Sequence, residues 1–368
     1  MDARQRFINT LKFRTTDRIP LVEWPIREAT MREWLKQGYP KGVKPQEYFS
    51  MDTIWLGAPF NIRMLPKFEE KIIEHTDRYK IWIDDLGATR KDFADNENPG
   101  FVTRSWLKFP VESREDFLEI KKRYNHETPS RFSDDFIQKA RVFNKATAPV
   151  IISIPFLFWT SRDWMGFENL CMGFYDEPVL LHEMFEFITD FSIEVLKKAY
   201  KHIKIDIIEL EEDMAYKGAP MVGPDHFKEF MFPHYRRFID FAKSNGTDIV
   251  MVDCDGYPGG LIPHWIEAGA DAMSPCEVAA GVDVLKTSEQ YPDFGLLGGI
   301  DKRELAKTKK HIYGEVMSKV PAMIEKGGYI PHVDHAVPFN VSLENYTYCR
   351  HIISEIAYGT MPAPPRSR

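Results

Sequence analysis

The stretch Ile249-Val250-Met251-Val252-Asp253-Cys254-Asp255-Gly256 decides the fold, because four apolar residues run directly into acids and a glycine. A short apolar run that ends in a turn signal is typical of a strand buried on both faces. Similar runs recur through the second half of the chain, at residues 150–154, 206–210, 270–273, 295–300 and 329–330. Each run predicts a strand.

The segments between these runs have the spacing of amphipathic helices, at residues 178–201, 224–245 and 309–326. Apolar strands that alternate with helices indicate a parallel sheet covered by helices. The spacing suits a (β/α)8 barrel or a doubly wound open sheet, but no GxGxxG or P-loop motif follows an early strand to favour the open sheet. We therefore predict an α/β fold of the (β/α)8 TIM-barrel type.

The first 148 residues are less regular than the rest of the chain. They contain a helical pattern at residues 3–11, an apolar piece at 19–22 and a polar, tryptophan-containing stretch at about 79–106. We predict that they supply the first strands and an extension that covers the barrel. No repeat, low-complexity segment or Gly/Ser linker interrupts the chain. Residues 1–368 are therefore predicted to form a single barrel domain.

Composition narrows the range of functions and partners. A net charge of -7 with interspersed acids and bases lacks the basic face that nucleic-acid binding requires. No apolar run approaches the roughly 18 to 20 residues of a membrane span, and the N-terminus does not resemble a signal peptide. Four scattered cysteines without a CxxC pair fit a reducing compartment. We expect a cytoplasmic protein that does not bind membranes or nucleic acid, with a two-fold homodimer as the default assembly.

Acids, histidines or glycines follow nearly every predicted strand. The carboxyl ends of parallel barrel strands converge on one face, where barrel enzymes place their catalytic groups. This pattern predicts an active site there, chiefly around Asp253, Asp255 and His335. Further candidates at strand ends are Glu211, Glu212, Asp213, Cys254, Cys276, Glu277, Asp301, His332 and Asp334.

These residues also allow plainer interpretations. Three consecutive acids at 211–213 suit a helix N-cap with solvated charge, and Asp255-Gly256 is an ordinary turn signal. Cys254 and Cys276 suit small buried positions better than nucleophiles. Trp159 and Arg162 could line a pocket for an aromatic or anionic ligand, or could serve packing alone.

Carboxylates together with a neutral imidazole form a suitable site for zinc or another divalent metal. Such a metal could polarise a substrate oxygen as a Lewis acid. Without a metal, the same carboxylates would act as general acid and base. The residues alone leave both possibilities open.

The chain resembles the uroporphyrinogen decarboxylase superfamily, which includes cobalamin-dependent methyltransferases. The resemblance rests on residues 4–11 with Asp17-Arg18-Ile19-Pro20, and on residues 223–230, 253–256, 266–271, 298–301, 334–338 and 343–345. True uroporphyrinogen decarboxylases carry an Arg-Gln-Ala-Gly-Arg motif after the first Ile-Pro. The matching place here reads Trp24-Pro25-Ile26-Arg27-Glu28-Ala29-Thr30, which keeps one arginine. The resemblance is therefore closer to the methyltransferase branch.

Thiol-methylating members of that branch bind zinc through a His-x-Cys pair and a late cysteine. The matching positions here are Asp253, Asp255 and His335, so the resemblance implies a metal site made of oxygen and nitrogen ligands. Glu277 would be a fourth ligand or a supporting partner. Such ligands leave the metal a stronger Lewis acid towards an ether or hydroxyl oxygen.

The resemblance thus implies a methyltransferase that moves a methyl group from a methylated small molecule, for example an O-methyl compound, to a separate corrinoid protein. Glu212 or Asp213 would assist departure of the leaving group. The substrate would be bound by Arg27, Trp159, Arg162 and Asp301. The alternative is a metal-independent decarboxylase of a small or tetrapyrrole carboxylate anchored by Arg27 or Arg162. So many convergent ionisable groups disfavour a non-enzymatic binding module.

Overall fold

A parallel sheet forms the centre of the molecule. The computed structural model describes residues 1–53, 56–94 and 104–365. Seven strands follow one another in the sheet in chain order, each parallel to the next. They are Leu56–Gly57, Val150–Pro155, Ile207–Glu211, Ile249–Asp253, Ala272–Cys276, Gly295–Ile300 and Tyr329–Val333. This sequential order is that of a barrel, since a doubly wound sheet reverses its order at a switch point.

The buried segment at residues 19–23 completes the wall between the last strand and the first. Its Glu23 carboxylate accepts a hydrogen bond from the backbone N–H of Val333 at 3.3 Å. Val22 packs in one cluster with inward-facing residues of six of the strands. The curled sheet is therefore a TIM-type fold, and the predicted fold class is confirmed.

The N-terminal helix Ala3–Leu11 closes one end of the barrel. Its Phe7 and Leu11 pack against the inward-facing apolar side chains of the strands, among them Ile207 and Ile249. Burying each large apolar side chain contributes about 1.5 to 3 kcal/mol, so this floor stabilises the barrel. Because this floor fills the end that the helix covers, we expect a ligand to approach from the carboxyl ends of the strands.

Helices cover the outside of the sheet. Those that follow the second strand are Leu157–Met165, Phe167–Asp176, Pro178–Ala199, Pro224–His226, Phe232–Ser244, Ile262–Ala268, Val284–Gln290, Lys302–Leu305, Lys309–Met317, Val320–Lys326 and Leu343–Ala357. The helix predicted at 309–326 is divided in two, because Pro321 lacks the N–H that would continue the first helix. The helix predicted at 224–245 contains a π-helical turn at Phe227–Met231. None of the helices described is long and apolar enough to cross a membrane.

The first 148 residues add an antiparallel sheet beside the barrel. Its strands are Lys71–His75, Tyr79–Ile83, Thr89–Phe93 and Arg104–Lys108, and the helices of this region are Ala3–Leu11, Glu28–Lys36, Pro45–Tyr48, Arg114–Lys121 and Phe136–Asn144. The polar stretch predicted as decoration supplies three of these strands, although its residues 95–103 lie outside the described part. The organisation of residues 1–368 as one domain stays a prediction.

Candidate active site

A cleft of about 390 Å³ opens at the carboxyl ends of the strands. It contains six of the ten residues predicted to form the site. These are Arg27, Trp159, Asp213, Asp253, Asp255 and His335, and they line the cleft together with Trp24, Pro25, Pro275 and Ala336. A larger depression of about 620 Å³ lies beside the N-terminal helix and Gly327, away from these strand ends. The rule that barrel active sites lie at the carboxyl ends of the strands, here called the strand-end rule, therefore identifies the cleft better than cavity volume does.

Asp253 is the most deeply placed acid of the cleft. It ends the strand Ile249–Asp253, and its backbone pairs with Glu211 and Ser274 of the two neighbouring strands. Burial raises the pKa of Asp253 well above its usual range, and the nearby charges of Glu209 and Asp213 raise it further. This environment favours the protonated form of Asp253, the form that can act as a proton donor.

Asp213 belongs to a strained turn. Its φ of 43° lies in the left-handed region, which costs a non-glycine residue on the order of 1 kcal/mol or more. Its Oδ1 accepts a hydrogen bond from the backbone N–H of Asp255 at 3.0 Å. Burial and then the charge of Asp255 raise the pKa of Asp213. The turn thus holds a second carboxyl group of raised pKa beside Asp253.

Asp255 and His335 form a pair at the mouth of the cleft. Their Oδ2 and Nε2 atoms lie 3.1 Å apart. Gly256, the next residue, has φ 91°, and a Cβ there would approach the Ala215 backbone to 2.7 Å, so only glycine fits. The N–H of Gly256 donates to Glu277 at 3.1 Å, which anchors the loop that carries Asp255.

Four of the predicted residues do not line the cleft. Glu212 is fully buried, and its carboxylate accepts hydrogen bonds from the N–H groups at the start of the helix Leu157–Met165 and from the Tyr235 hydroxyl at 2.5 Å. It therefore caps the helix that carries Trp159, and it positions that residue from behind the cleft. The direct role in leaving-group departure predicted for Glu212 does not fit this placement.

The other three residues have local partners. Glu277 forms an ion pair with Lys302 at 2.9 Å, and Asp301 caps the next helix through Arg303 N–H at 2.8 Å. Asp301 is therefore a helix cap and does not reach the cleft as a substrate-binding residue would. Arg162 donates to the carbonyl oxygen of Asp213 at 3.1 Å and lies 4.7 Å from the centre of the Trp159 ring.

Trp24 is the largest of the four lining residues that the sequence interpretation missed; the others are Pro25, Pro275 and Ala336. It follows the buried segment 19–23, as acids follow the other strands, and its ring meets His332 edge-on at 6.0 Å. A tryptophan after an apolar segment carries no signal of its own, since it suits packing equally well. Its position directly after the buried segment 19–23 was the available clue.

A polar layer lies inside the barrel beneath the cleft. Glu209 is 2% exposed and accepts a hydrogen bond from the Ser153 hydroxyl, whereas its Oε1 has no hydrogen-bond partner. Burial raises the pKa of Glu209 to about 7. Burial likewise lowers the pKa of His332 to about 4 and raises that of Glu23 to about 7. Near pH 7 this layer thus carries less charge than its residue types imply.

The predicted metal ligands do not converge on one point. Asp255 and His335 face each other directly, while Glu277 is bonded to Gly256 and Lys302. Across the described ranges, no group of three or more His, Cys, Asp or Glu side chains could hold a metal ion. This arrangement does not fit a three-ligand zinc site. Zinc or another divalent metal at Asp253, Asp255, Glu277 and His335 stays a prediction.

Ionisable groups at the carboxyl ends of barrel strands are typical of TIM-type barrel enzymes. The sequence profile of the family Uroporphyrinogen decarboxylase (URO-D) matches residues 155–356, more than half of the chain. The chain belongs to this family, and the resemblance seen in its motifs is confirmed. A uroporphyrinogen decarboxylase of Hydrogenobaculum sp. (strain Y04AAS1) is 20% identical over 200 residues. That match covers 54% of each protein, so the chain spans about half the length of this curated relative.

Solved structures share the fold. A methyltransferase from Methanosarcina mazei matches with a TM-score of 0.62 at 14% identity, over 97% of this chain and 99% of that chain. A B12-independent methionine synthase from Shewanella sp. W3-18-1 matches at 15% identity over 78% of this chain and 74% of that chain. Its TM-score of 0.39 is too low to support an argument. At 14% identity, the likeness to the Methanosarcina mazei protein shows that the two chains share the barrel fold. It does not show which reaction this chain catalyses.

Proposed function

We propose that this protein transfers a methyl group from a small O-methyl donor to a corrinoid carried by a separate protein. The carrying observation is the position of the Asp253 carboxyl group in a cleft lined also by Trp24 and Trp159, where burial and neighbouring acids raise its pKa. The fold shared with a methyltransferase supports the same proposal. Methyl transfer from oxygen needs a proton for the departing oxygen, and Asp253 supplies one.

The reaction needs few groups from this chain. The bond between the methyl carbon and the donor oxygen breaks, its electron pair stays on the oxygen, and the Asp253 proton neutralises that oxygen as it leaves. A reduced corrinoid would supply the electron pair that forms the new bond to carbon. Asp213 lines the cleft with Asp253 and is a second candidate for the same proton transfer, in keeping with its raised pKa.

The two tryptophans and the Asp255–His335 pair orient the donor. Indole faces bind small apolar groups and exclude water, which strengthens every polar contact in the cleft. His335, held by Asp255 at 3.1 Å, presents its ring to the cleft and hydrogen-bonds the product hydroxyl. Arg27 also lines the cleft.

The rim of the barrel has exposed aromatic residues that suit the binding of a partner protein. Three aromatic side chains on loops after the strands are exposed, namely Tyr216 at 54%, Tyr257 at 37% and Phe339 at 40%. Exposed aromatic residues are enriched at interfaces between proteins. Their place around the mouth suits a carrier protein that brings its cofactor to the cleft.

The alternative is a carboxy-lyase that anchors a carboxylate through Arg27 and protonates the carbanion through Asp253. Membership in the decarboxylase family and the position of Arg27 favour it. However, the chain keeps only one arginine, Arg27, at the place of the Arg-Gln-Ala-Gly-Arg motif, and one arginine binds a substrate with several carboxylates poorly. We therefore place methyl transfer ahead of tetrapyrrole decarboxylation.

The test incubates the purified protein with cob(I)alamin and a panel of O-methyl, N-methyl and S-methyl donors, and follows methylcobalamin formation by absorbance. We expect formation with at least one O-methyl donor. The same protein incubated with small carboxylates and uroporphyrinogen should release no carbon dioxide. Carbon dioxide release without methylcobalamin from any donor would establish the carboxy-lyase instead.

A further inference from the structure

A second cavity, of about 240 Å³, adjoins the cleft. Trp159 lines both spaces. The cavity lies between the helix that carries Trp159, the long helix Pro178–Ala199 and the turn at Leu86 of the antiparallel sheet. Nothing in the proposed proton transfer uses it.

Aromatic and aliphatic side chains form most of its wall. Trp159, Tyr124 and Phe191 contribute rings, and Ile62, Met64 and Ile188 contribute aliphatic surface. Rings prefer to pack against other rings edge-to-face or offset, and such a pair adds about 0.5 to 1.5 kcal/mol beyond simple burial. The wall therefore favours an aromatic ligand over an alkyl chain.

The polar groups at the cavity suit an uncharged ligand. Arg63 lines it, but its guanidinium is held by both carboxylate oxygens of Glu211, at 2.7 and 2.8 Å. The Glu211 carboxylate therefore balances the charge of Arg63. Asp163 is the carboxylic acid of the wall, and burial raises its pKa to about 6. A hydroxyl group on the ligand can donate to the Asp163 carboxylate.

The volume fits one ring with its substituents. An apolar protein cavity of about 150 Å³ holds benzene. The cavity here is larger, at about 240 Å³, which leaves room for a hydroxyl or methoxy group on the ring. A tetrapyrrole substrate would not fit within it.

We infer that this cavity receives the ring of an aryl methyl ether, with the methoxy group on the Trp159 side and a ring hydroxyl on Asp163. The inference rests on the proposed function, which it deepens by naming the donor class. The ring packs against Trp159, the residue that the cavity shares with the cleft, and the methoxy group points towards the cleft that Asp253 lines. The methyl donor is thus a methoxyphenol.

Binding is measured by calorimetry without any corrinoid, with 2-methoxyphenol and 2-methoxyethanol, which carries the same methoxy group without a ring. We expect 2-methoxyphenol to bind at least about tenfold tighter. Leu86→Trp and Ser192→Phe should each fill the cavity and weaken 2-methoxyphenol by about tenfold or more. Leu86 lies half-buried in a turn and should accept the larger ring, which covers the case that Ser192→Phe fails to fold.

Leu107→Trp is the matched control, because Leu107 lies 53% exposed in the same antiparallel sheet, and its substitution should leave both affinities unchanged. Equal affinity for the two ligands, or unchanged binding in the folded Leu86→Trp variant, overturns the inference. If 2-methoxyphenol binds in the cavity yet no donor yields methylcobalamin, the methyl-transfer proposal fails while the cavity stands as an aryl-binding site. If methyl transfer proceeds and the Leu86→Trp and Ser192→Phe variants bind 2-methoxyphenol as tightly as the native protein, the inference about the cavity fails and the proposed function stands.

Discussion

The imidazole Nε2 of His335 lies 3.1 Å from the carboxylate Oδ2 of Asp255, and this contact joins loops from strands that are not neighbours in the sheet. Each side chain fixes the orientation of the other at the mouth of the cleft. We predict that Asp255→Ala and His335→Ala each lower kcat/KM for methyl transfer by about 10²-fold. The double variant should be no worse than either single variant, because the pair acts as a unit.

Steady-state kinetics on the three variants measure this coupling. The Asp255→Asn variant serves as a partial rescue, since its amide oxygen still accepts a hydrogen bond from the ring. Effects of the two single substitutions that multiply in the double variant would show that the residues act independently.

The role of Asp253 predicts a dependence on the leaving group. Asp253→Asn keeps the shape of the side chain but removes the acidic proton, so kcat should fall about 10²- to 10³-fold for a phenol leaving group of ordinary basicity. The loss should shrink for 4-nitroanisole, whose leaving oxygen needs little protonation. Asp248→Asn is the control, because Asp248 precedes the same strand at its other end, where it pairs with Lys204 at 2.7 Å. An equal loss for both donors would remove Asp253 from the proton-transfer role.

Apolar runs between helical segments were enough to predict a parallel sheet covered by helices. The choice of the barrel over a doubly wound sheet rested on the missing GxGxxG and P-loop motifs. The order of the strands and the closing segment at residues 19–23 came only from the structure. That segment is a short apolar piece next to Pro20, and such a piece does not reveal its partners. The floor made by Phe7 and Leu11 was equally out of reach, since an amphipathic helix does not indicate which surface it covers.

The strand-end rule placed Asp213, Asp253, Asp255 and His335 correctly on the face of the cleft, yet it could not tell lining residues from capping residues. Asp301 and Glu212 also stand at strand ends, but each is engaged by the N-terminus of a helix. For Asp301 the following helix was a usable signal, whereas Glu212 caps a helix more than 50 residues away in sequence. Long-range capping of this kind requires coordinates.

The cap formed by Glu212 predicts an effect on substrate binding. Tyr235→Phe removes the 2.5 Å hydrogen bond to Glu212 and should cost about 1.5 to 3 kcal/mol of unfolding free energy. Because Glu212 holds the helix that carries Trp159, KM should rise with little change in kcat. Tyr329→Phe, which loses a bond to the Gly298 carbonyl, is the matched control and should cost about 1 kcal/mol without raising KM. Urea titration and kinetics measure both quantities. A fall in kcat alone for Tyr235→Phe would contradict the positioning role.

The buried Glu209 predicts how stability depends on pH. Burial raises the pKa of Glu209 to about 7 from a usual value of 4.5, so the folded protein holds a proton that the unfolded chain has already released. The stabilisation is therefore complete below pH 4.5 and is lost as pH rises through about 7. Glu23 and Glu212, whose pKa values burial raises to about 7 as well, act in the same direction.

Glu209→Gln removes one of these three groups, so its unfolding free energy should fall less steeply between about pH 5 and 8 than that of the native protein. Urea titrations at intervals of pH measure the slope, with Glu289→Gln as the same chemical change at an exposed position. Because the glutamine cannot ionise, the difference in unfolding free energy between the variant and the native protein should favour the variant most near pH 8, at about the upper end of this range. A slope equal to that of the native protein would mean that Glu209 is already ionised in the folded barrel at pH 5. The conclusion that the polar layer beneath Asp253 retains protons would then be wrong.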